Sequence, residues 1–152
     1  MWWTLANSPA DSGEGASAFS FPVRVYYEDT DFSGVVYHAS YLRFLERGRT
    51  EYLRALGVHQ QAVADGERGE PFAFAVRRMT IDFLRSARMD DLLDIETTVI
   101  RLGGASIEMQ QSIRRNGEVL LKGDVTVAII VNGKAARMPR WVRELFAAAA
   151  GG

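Results

Sequence analysis

The sequence contains no cysteine and only two histidines, His38 and His59. Without cysteine the chain has no disulfide, no thiolate nucleophile and no cysteine-ligated metal. Two histidines are too few for the His-rich kind of zinc or iron site. We therefore expect no metal and no redox cofactor.

The chain also lacks an excess of positive charge and any long apolar run. Its net charge is −1, whereas nucleic-acid binding depends on an excess of Lys and Arg that neutralises phosphate. No apolar stretch approaches the roughly 20 residues that span a bilayer. The N-terminus has neither the basic start nor the apolar core of a secretory signal. We expect no nucleic-acid partner and a cytoplasmic location.

The length of 152 residues suits one domain with a sizeable core. Residues 1–20 are rich in Ala, Ser and Gly and predict a flexible N-terminal tail. A single domain over residues 21–148 remains.

Hydrophobic periodicity within that domain changes from strand to helix and back to strand. From His38 to Leu56 apolar residues recur every three or four positions, and Gly57 is a natural C-terminal cap. Gly48 costs this helix about 1 kcal/mol relative to Ala, which suggests that another backbone passes close by. Residues 58–70 are polar and predict a loop.

Strand patterns surround the helix. Asn116-Gly117 is a strong hairpin signal, and Pro139 begins a short C-terminal helix. The sequence predicts an α+β fold in which one long helix faces a five-stranded, mainly antiparallel sheet. The predicted strands are 21–28, 72–83 with a bulge at Arg77–Arg78, 93–100, 106–113 and 118–131.

The turn between the first strand and the helix, "YYEDTDFSGVVYH", carries two carboxylates. Its spelling resembles a calcium loop, but position twelve is Ser40 instead of glutamate, and a strand instead of a helix precedes it. An ordinary turn with a capping Asp and a glycine of positive φ is the plainer interpretation. Two close carboxylates before an apolar, aromatic run are more than such a turn requires.

A catalytic interpretation uses the start of the helix. The first N–H groups of a helix are unpaired and carry partial positive charge, so they can hold a developing oxyanion. A carboxylate a few residues upstream can attack an acyl carbon or activate water at the same point. No G-x-S-x-G motif offers another nucleophile. The turn therefore predicts a hydrolase site.

The segment "VRVYYEDTDFSGVVYHASYLRFLERGRTEYLRALG" resembles the signature of hot-dog-fold acyl-CoA thioesterases. It is most similar to the YbgC-like, Tol–Pal-associated branch of the 4-hydroxybenzoyl-CoA thioesterase family. "VRRMTIDFLRSARMDDLLDIET" and "GGAS" are similar as well, so the resemblance covers residues 21 to 146. It implies a long helix wrapped by an antiparallel sheet, hydrolysis of acyl-CoA, and a homo-oligomer, either a dimer or a homotetramer.

Carried over by position, Asp31 matches the catalytic carboxylate, which acts as nucleophile or general base. The backbone N–H of His38 matches the group that polarises the thioester carbonyl, and Gly34 matches the turn glycine. Asp29 is then a structural turn residue. Whether the His38 side chain orients water or only its backbone matters is left open. The substrate-binding candidates are Arg101, Gly104, Ser106, Arg88 and Tyr27.

Three rival functions remain at this point. An acyl carrier protein can replace coenzyme A as the carrier of the acyl group. A hydroxyacyl-thioester dehydratase needs a His–acid motif that the sequence lacks. A non-enzymatic adaptor of the Tol–Pal system is compatible with the fold, because fold does not fix function. Weak association with the inner membrane is also left open.

Overall fold

The computed structural model describes residues 4–6 and 18–151. Most of the predicted N-terminal tail lies outside these residues. Within it, Thr4–Ala6 and residues 18–20 belong to strands, so the sheet begins before residue 21. The strands are β1 (Thr4–Ala6), β2 (Ala18–Arg24), β3 (Ala73–Phe83), β4 (Leu92–Leu102), β5 (Ser106–Arg115), β6 (Glu118–Val131) and β7 (Lys134–Ala135). The helices are α1 (His38–Leu56), α2 (Gln60–Ala64) and α3 (Arg140–Gly151).

The strands form one antiparallel sheet in the order β1-β2-β4-β5-β6-β3, with β7 paired to the end of β6. Asn116 and Gly117 have φ angles of 51° and 82°, the double positive φ of a tight hairpin turn. A register shift between Val76 and Arg78 interrupts the pairing of β3 with β6, so the predicted bulge is confirmed. The five predicted strands are present, and β1 and β7 are short additions.

Helix α1 lies across the inner face of this sheet. Phe44 and Leu45 of the helix and Ile95 and Ile113 of the sheet are fully buried together. Helix α3 covers one end of the core, where the rings of Phe146 and Tyr52 are 6.1 Å apart. The predicted α+β layout, one long helix wrapped by an antiparallel sheet, is confirmed. No helix in the described part of the chain is long and apolar enough to cross a membrane.

Gly48 lets α1 approach the sheet, but a side chain and not a backbone explains it. A Cβ at position 48 would lie 2.5 Å from Cγ2 of Ile95 and 3.3 Å from Nε2 of Gln111. The expectation of a passing backbone was therefore wrong. The β-branched side chain of Ile95 occupies the space that a methyl group on the helix would need.

Two local predictions were also wrong. Strand β2 ends at Arg24, and Tyr27–Asp29 form a single 3-10 turn, because Asp29 Oδ2 accepts a hydrogen bond of 2.8 Å from the Tyr26 amide. Residues 58–70 contain the short helix α2, which is too brief to show a helical period in the sequence. Val63 is the buried residue of that helix.

Candidate active site

The turn before α1 holds Asp31 in a fixed backbone conformation. The Asp31 amide donates to the Val35 carbonyl, and the Gly34 amide donates to the Asp31 carbonyl, each at 3.0 Å. Gly34 has a φ of +82°, and nothing lies within 4 Å of where its Cβ would be. Glycine is therefore required here for its backbone conformation and not for space. This is the turn glycine that the sequence predicted.

The carboxylate of Asp31 is exposed and held by one neighbour. Its Oδ1 accepts hydrogen bonds from the Ser33 hydroxyl at 2.6 Å and from the Ser33 amide at 2.9 Å. These bonds favour the ionised form, so the Ser33 hydroxyl first and the Ser33 amide second lower the pKa of Asp31 below its ordinary value. Asp31 is therefore an anion at neutral pH, with Oδ2 left for another partner.

Asp29 has a different role in the same turn. Its side chain is 5% exposed, and its Oδ2 accepts from the Tyr26 amide. Its carbonyl accepts a hydrogen bond of 2.9 Å from the Tyr37 amide. Asp29 thus closes the chain onto itself just before the helix, and its buried carboxylate is occupied by the backbone.

The start of α1 lies beside this turn. Tyr37 is the last residue before the helix, and its carbonyl accepts from the Ser40 amide at 2.9 Å. For the amides of His38 and Ala39 no acceptor is recorded among the described residues. These two N–H groups, together with the partial positive charge of the helix end, form a site for negative charge. The imidazole of His38 packs on the Phe83 ring, with centroids 4.6 Å apart.

Asp31 lies at the junction of two clefts. One, of about 370 Å³, is lined by Asp31, His38, Tyr41 and Phe83 among others. The other, of about 860 Å³, is lined by Asp31 together with Tyr27, Phe32, Arg88 and Met89. The structure thus brings together five of the predicted site residues: Asp31, Gly34, His38, Tyr27 and Arg88.

The other three predicted site residues lie at the opposite end of the sheet. Phe83 pairs with Leu121 on β6, whereas Ser106 pairs with Ala128. Seven residues of strand separate these positions, roughly 23 Å at about 3.3 Å per residue. The Arg101 side chain pairs with Glu108 at 2.6 Å, and the Gly104 carbonyl accepts from the Met138 amide. Within one chain, Arg101, Gly104 and Ser106 therefore do not reach the clefts at Asp31.

Sequence reasoning missed Phe83 and Tyr41 as cleft residues. Both look like ordinary strand or helix core positions, and their sequence neighbours give no sign of a cleft. The single signal is that Tyr41 lies within the segment that carries the resemblance. In the part of the chain that the structure describes, no three His, Asp or Glu side chains are grouped to hold a metal ion.

The Asp31 carboxylate lies in the turn just before the N-terminus of α1, and the sheet wraps around that helix. This arrangement suits hydrolysis of an activated acyl group. Residues 33–122 match the family model of the thioesterase superfamily. The acyl-CoA thioesterase YbgC of Haemophilus influenzae is 47% identical over 132 residues, which are 86% of this chain and 95% of that protein. The chain belongs to the thioesterase superfamily and is an enzyme of that class.

Solved structures agree with this assignment. A probable thioesterase from Bartonella henselae is 47% identical, superposes with a TM-score of 0.78, and matches 80% of this chain and 99% of that one. A thioesterase from Thermus thermophilus, solved with coenzyme A and Zn, is 27% identical with a TM-score of 0.76. That match covers 92% of this chain and 98% of the other. The hot-dog fold that the resemblance implied is confirmed.

Proposed function

We propose that this protein hydrolyses the thioester of acyl-CoA to a free carboxylate and coenzyme A, with Asp31 as the catalytic carboxylate. The observation that carries the proposal is the position of Asp31, which lines the same cleft as the first residue of α1. A carboxylate and an oxyanion site within one cleft are the two requirements of acyl transfer to water. The names of the Haemophilus relative and of the coenzyme A-bound Thermus structure support the substrate class.

Two routes are open to Asp31. As a nucleophile, its carboxylate attacks the acyl carbon, the thiolate of coenzyme A leaves, and water then hydrolyses the anhydride and frees the carboxylate. As a general base, it takes a proton from water while that water attacks the same carbon. The carbon–sulfur bond then breaks, and the thiolate of coenzyme A leaves and takes up a proton. In both routes the thioester oxygen becomes negative, and the His38 amide at the start of α1 stabilises it. The lowered pKa of Asp31 agrees with the ionised form that both routes require.

The remaining substrate-binding candidates are reached through a second copy of the chain. Among the described residues β3 pairs only with β6, so its other edge is free to pair. Antiparallel pairing of two β3 edges places the Phe83 end of one copy beside the Ala73 end of the other. Ser106 lies two strands from Ala75, about 10 Å at the usual strand spacing. The Ser106 end of one copy would therefore lie near the Asp31 cleft of the other.

The proposal thus includes a dimer through β3. A homotetramer, as the resemblance implies, and a cytoplasmic location both stay predictions. Arg88 and Tyr27 are proposed to contact coenzyme A from the chain that provides Asp31. Arg101, Gly104 and Ser106 are proposed to contact it from the second copy. A free arginine fork suits the phosphates of coenzyme A, but Arg101 has to exchange its Glu108 partner to bind them.

The test compares wild type, Asp31→Asn and a control, Asp124→Asn, on a panel of acyl-CoAs of increasing chain length. Release of thiol is followed with a colorimetric reagent, to which this protein adds no background because it has no cysteine. Asp124 is exposed on β6, so the control makes the same chemical change away from the clefts. We expect Asp31→Asn to lower kcat by about 10³-fold or more, and the control to match wild type.

A wild-type protein that hydrolyses no acyl-CoA would refute the assignment of coenzyme A as the acyl carrier. The same acyl chains, carried on acyl carrier protein, then separate the two alternatives. An acyl-carrier-protein thioesterase hydrolyses them, whereas a non-enzymatic adaptor hydrolyses neither these substrates nor the acyl-CoAs. Full activity in Asp31→Asn would instead refute the catalytic role of that residue while leaving the substrate class standing.

A further inference from the structure

Tyr41 is a buried tyrosine whose hydroxyl joins α1 to the loop after β3. It lies three residues after His38, on the same side of the helix, and is 3% exposed. Its Oη accepts a hydrogen bond of 2.8 Å from the amide of Ala87. Ala87 is fully buried, and its amide has the Tyr41 hydroxyl as its hydrogen-bond acceptor, so loss of the hydroxyl leaves a buried amide unpaired.

The connection continues from Ala87 to the catalytic turn. The Ala87 carbonyl accepts a hydrogen bond of 2.9 Å from the Val36 amide. The preceding residue, Val35, accepts from the Asp31 amide at 3.0 Å. Three hydrogen bonds therefore link the Tyr41 side chain to the backbone of Asp31. One end of this series lies on the helix that begins at His38, and the other end carries the carboxylate.

The rest of the loop is held from other parts of the fold. The Asp91 carbonyl accepts a hydrogen bond from the Val25 amide, and the Asp91 carboxylate accepts one from Arg115 at 2.8 Å. Those contacts position the end of the loop that leads into β4. Tyr41 acts at the Ala87 end, next to the catalytic turn, where its ring also lines the cleft beside Phe83 at a centroid distance of 5.8 Å.

We propose that Tyr41 is a positioning residue: through Ala87 its hydroxyl fixes the Asp31 turn relative to the N-terminus of α1. The inference rests on the proposed function, in which Asp31 and the His38 amide act on one thioester group. A displacement of about 1 Å between two such groups can lower the rate about 10²-fold. Burial raises the pKa of Tyr41, so the hydroxyl stays neutral while Asp31 is ionised.

The test is Tyr41→Phe, which removes the hydroxyl and leaves the ring in place. The matched control is Tyr52→Phe, a tyrosine of the same helix that is 6% exposed and for whose hydroxyl no hydrogen bond is recorded among the described residues. Steady-state kinetics on the best acyl-CoA is combined with amide hydrogen exchange read at Val36 by NMR. Asp31→Asn is measured in the same assay.

We expect Tyr41→Phe to lower kcat about 10- to 100-fold with KM changed less than about threefold, and to speed exchange of the Val36 amide. The control should change neither. Unchanged exchange at Val36, or faster exchange with wild-type kcat, would overturn the proposal. Failure of the proposed function is read separately, as full turnover in Asp31→Asn. A wild type with no acyl-CoA turnover would overturn both.

Discussion

Ser33 donates two hydrogen bonds to the same oxygen of Asp31, one from its hydroxyl and one from its amide. The residue two positions after the carboxylate therefore holds the Asp31 side chain and favours its ionised form. The second oxygen has no hydrogen-bond partner in the described part of the chain, and Asp31 lines both clefts.

Ser33→Ala is expected to raise the pKa of Asp31 towards its ordinary value of 3.8. The hydroxyl bond favours the ionised form, so its loss moves protonation to higher pH. The stability that Asp31 contributes above pH 3.8 is lost as pH falls through its folded pKa. Because the folded pKa of the variant lies closer to 3.8, Asp31 contributes less of this stability in the variant. The measurement is an NMR titration of the Asp31 carboxyl carbon, with Ser33→Thr as the control that keeps a hydroxyl. An unchanged midpoint in Ser33→Ala would contradict this account.

His38→Ala is expected to lower kcat by no more than about tenfold, far less than Asp31→Asn. The backbone amide that we assign to the oxyanion survives the change, and the imidazole packs on Phe83 with no hydrogen bond recorded among the described residues. Thiol-release kinetics measures the effect, and Phe83→Leu measures what is lost when the ring that contacts both His38 and Tyr41 is removed. A loss for His38→Ala as large as that for Asp31→Asn would instead make the imidazole a catalytic group.

Gly48→Ala is expected to destabilise the fold although alanine is the better helix former. The gain of about 1 kcal/mol in helix propensity is opposed by overpacking, which costs about 1–3 kcal/mol. The buried Ile95 methyl group lies 2.5 Å from the new Cβ. Urea unfolding measures the difference. Leucine has no methyl group on its Cβ, so the double variant Gly48→Ala/Ile95→Leu should recover part of the lost stability. A Gly48→Ala protein as stable as wild type would refute the close contact.

Gln111→Leu is expected to lower the free energy of unfolding by about 1.5–3 kcal/mol, the usual contribution of a hydrogen bond to a charged group. Gln111 accepts from the Arg49 guanidinium at 3.0 Å and donates to the Leu45 carbonyl and the Thr97 hydroxyl. Arg49 is 8% exposed, and desolvation lowers its pKa. The double variant Arg49→Met/Gln111→Leu should be more stable than Gln111→Leu. Additive losses in urea unfolding would show that the two side chains are uncoupled.

Val76→Lys is expected to convert the dimer that we propose through β3 to a 16.9 kDa monomer. Val76 is 47% exposed on β3, and a lysine on an edge strand opposes pairing with another edge. Light scattering after gel filtration measures the mass. Ile100→Lys is the control and should keep the wild-type mass, because Ile100 is an exposed apolar residue at the bulge of β4, which is an inner strand of the sheet. A Val76→Lys protein of wild-type mass would place the interface elsewhere.

The sequence determined the elements with strong local signals. The three-and-four spacing of apolar residues marked α1 from His38 to Leu56, and Asn116-Gly117 marked a hairpin, because one face of a helix and a tight turn are encoded by near neighbours. The phase change at Arg77–Arg78 marked a bulge for the same reason. Helix α2 was not predicted because it is only about one turn long. The end of β2 at Arg24 was not predicted because it depends on a single hydrogen bond between Tyr26 and Asp29.

The candidate site also has one part that the local sequence determines and another that depends on the tertiary structure. Asp31, Gly34 and His38 lie within eight residues, so their proximity follows from the chain itself. Only the tertiary structure decided which residues surround them: Phe83 and Ala87 come from the end of β3 and the loop after it, more than 40 residues away. It also separated Arg101, Gly104 and Ser106 from Asp31 by the length of a strand. Sheet register sets such distances through hydrogen bonds between remote segments, and no local pattern of residues encodes them.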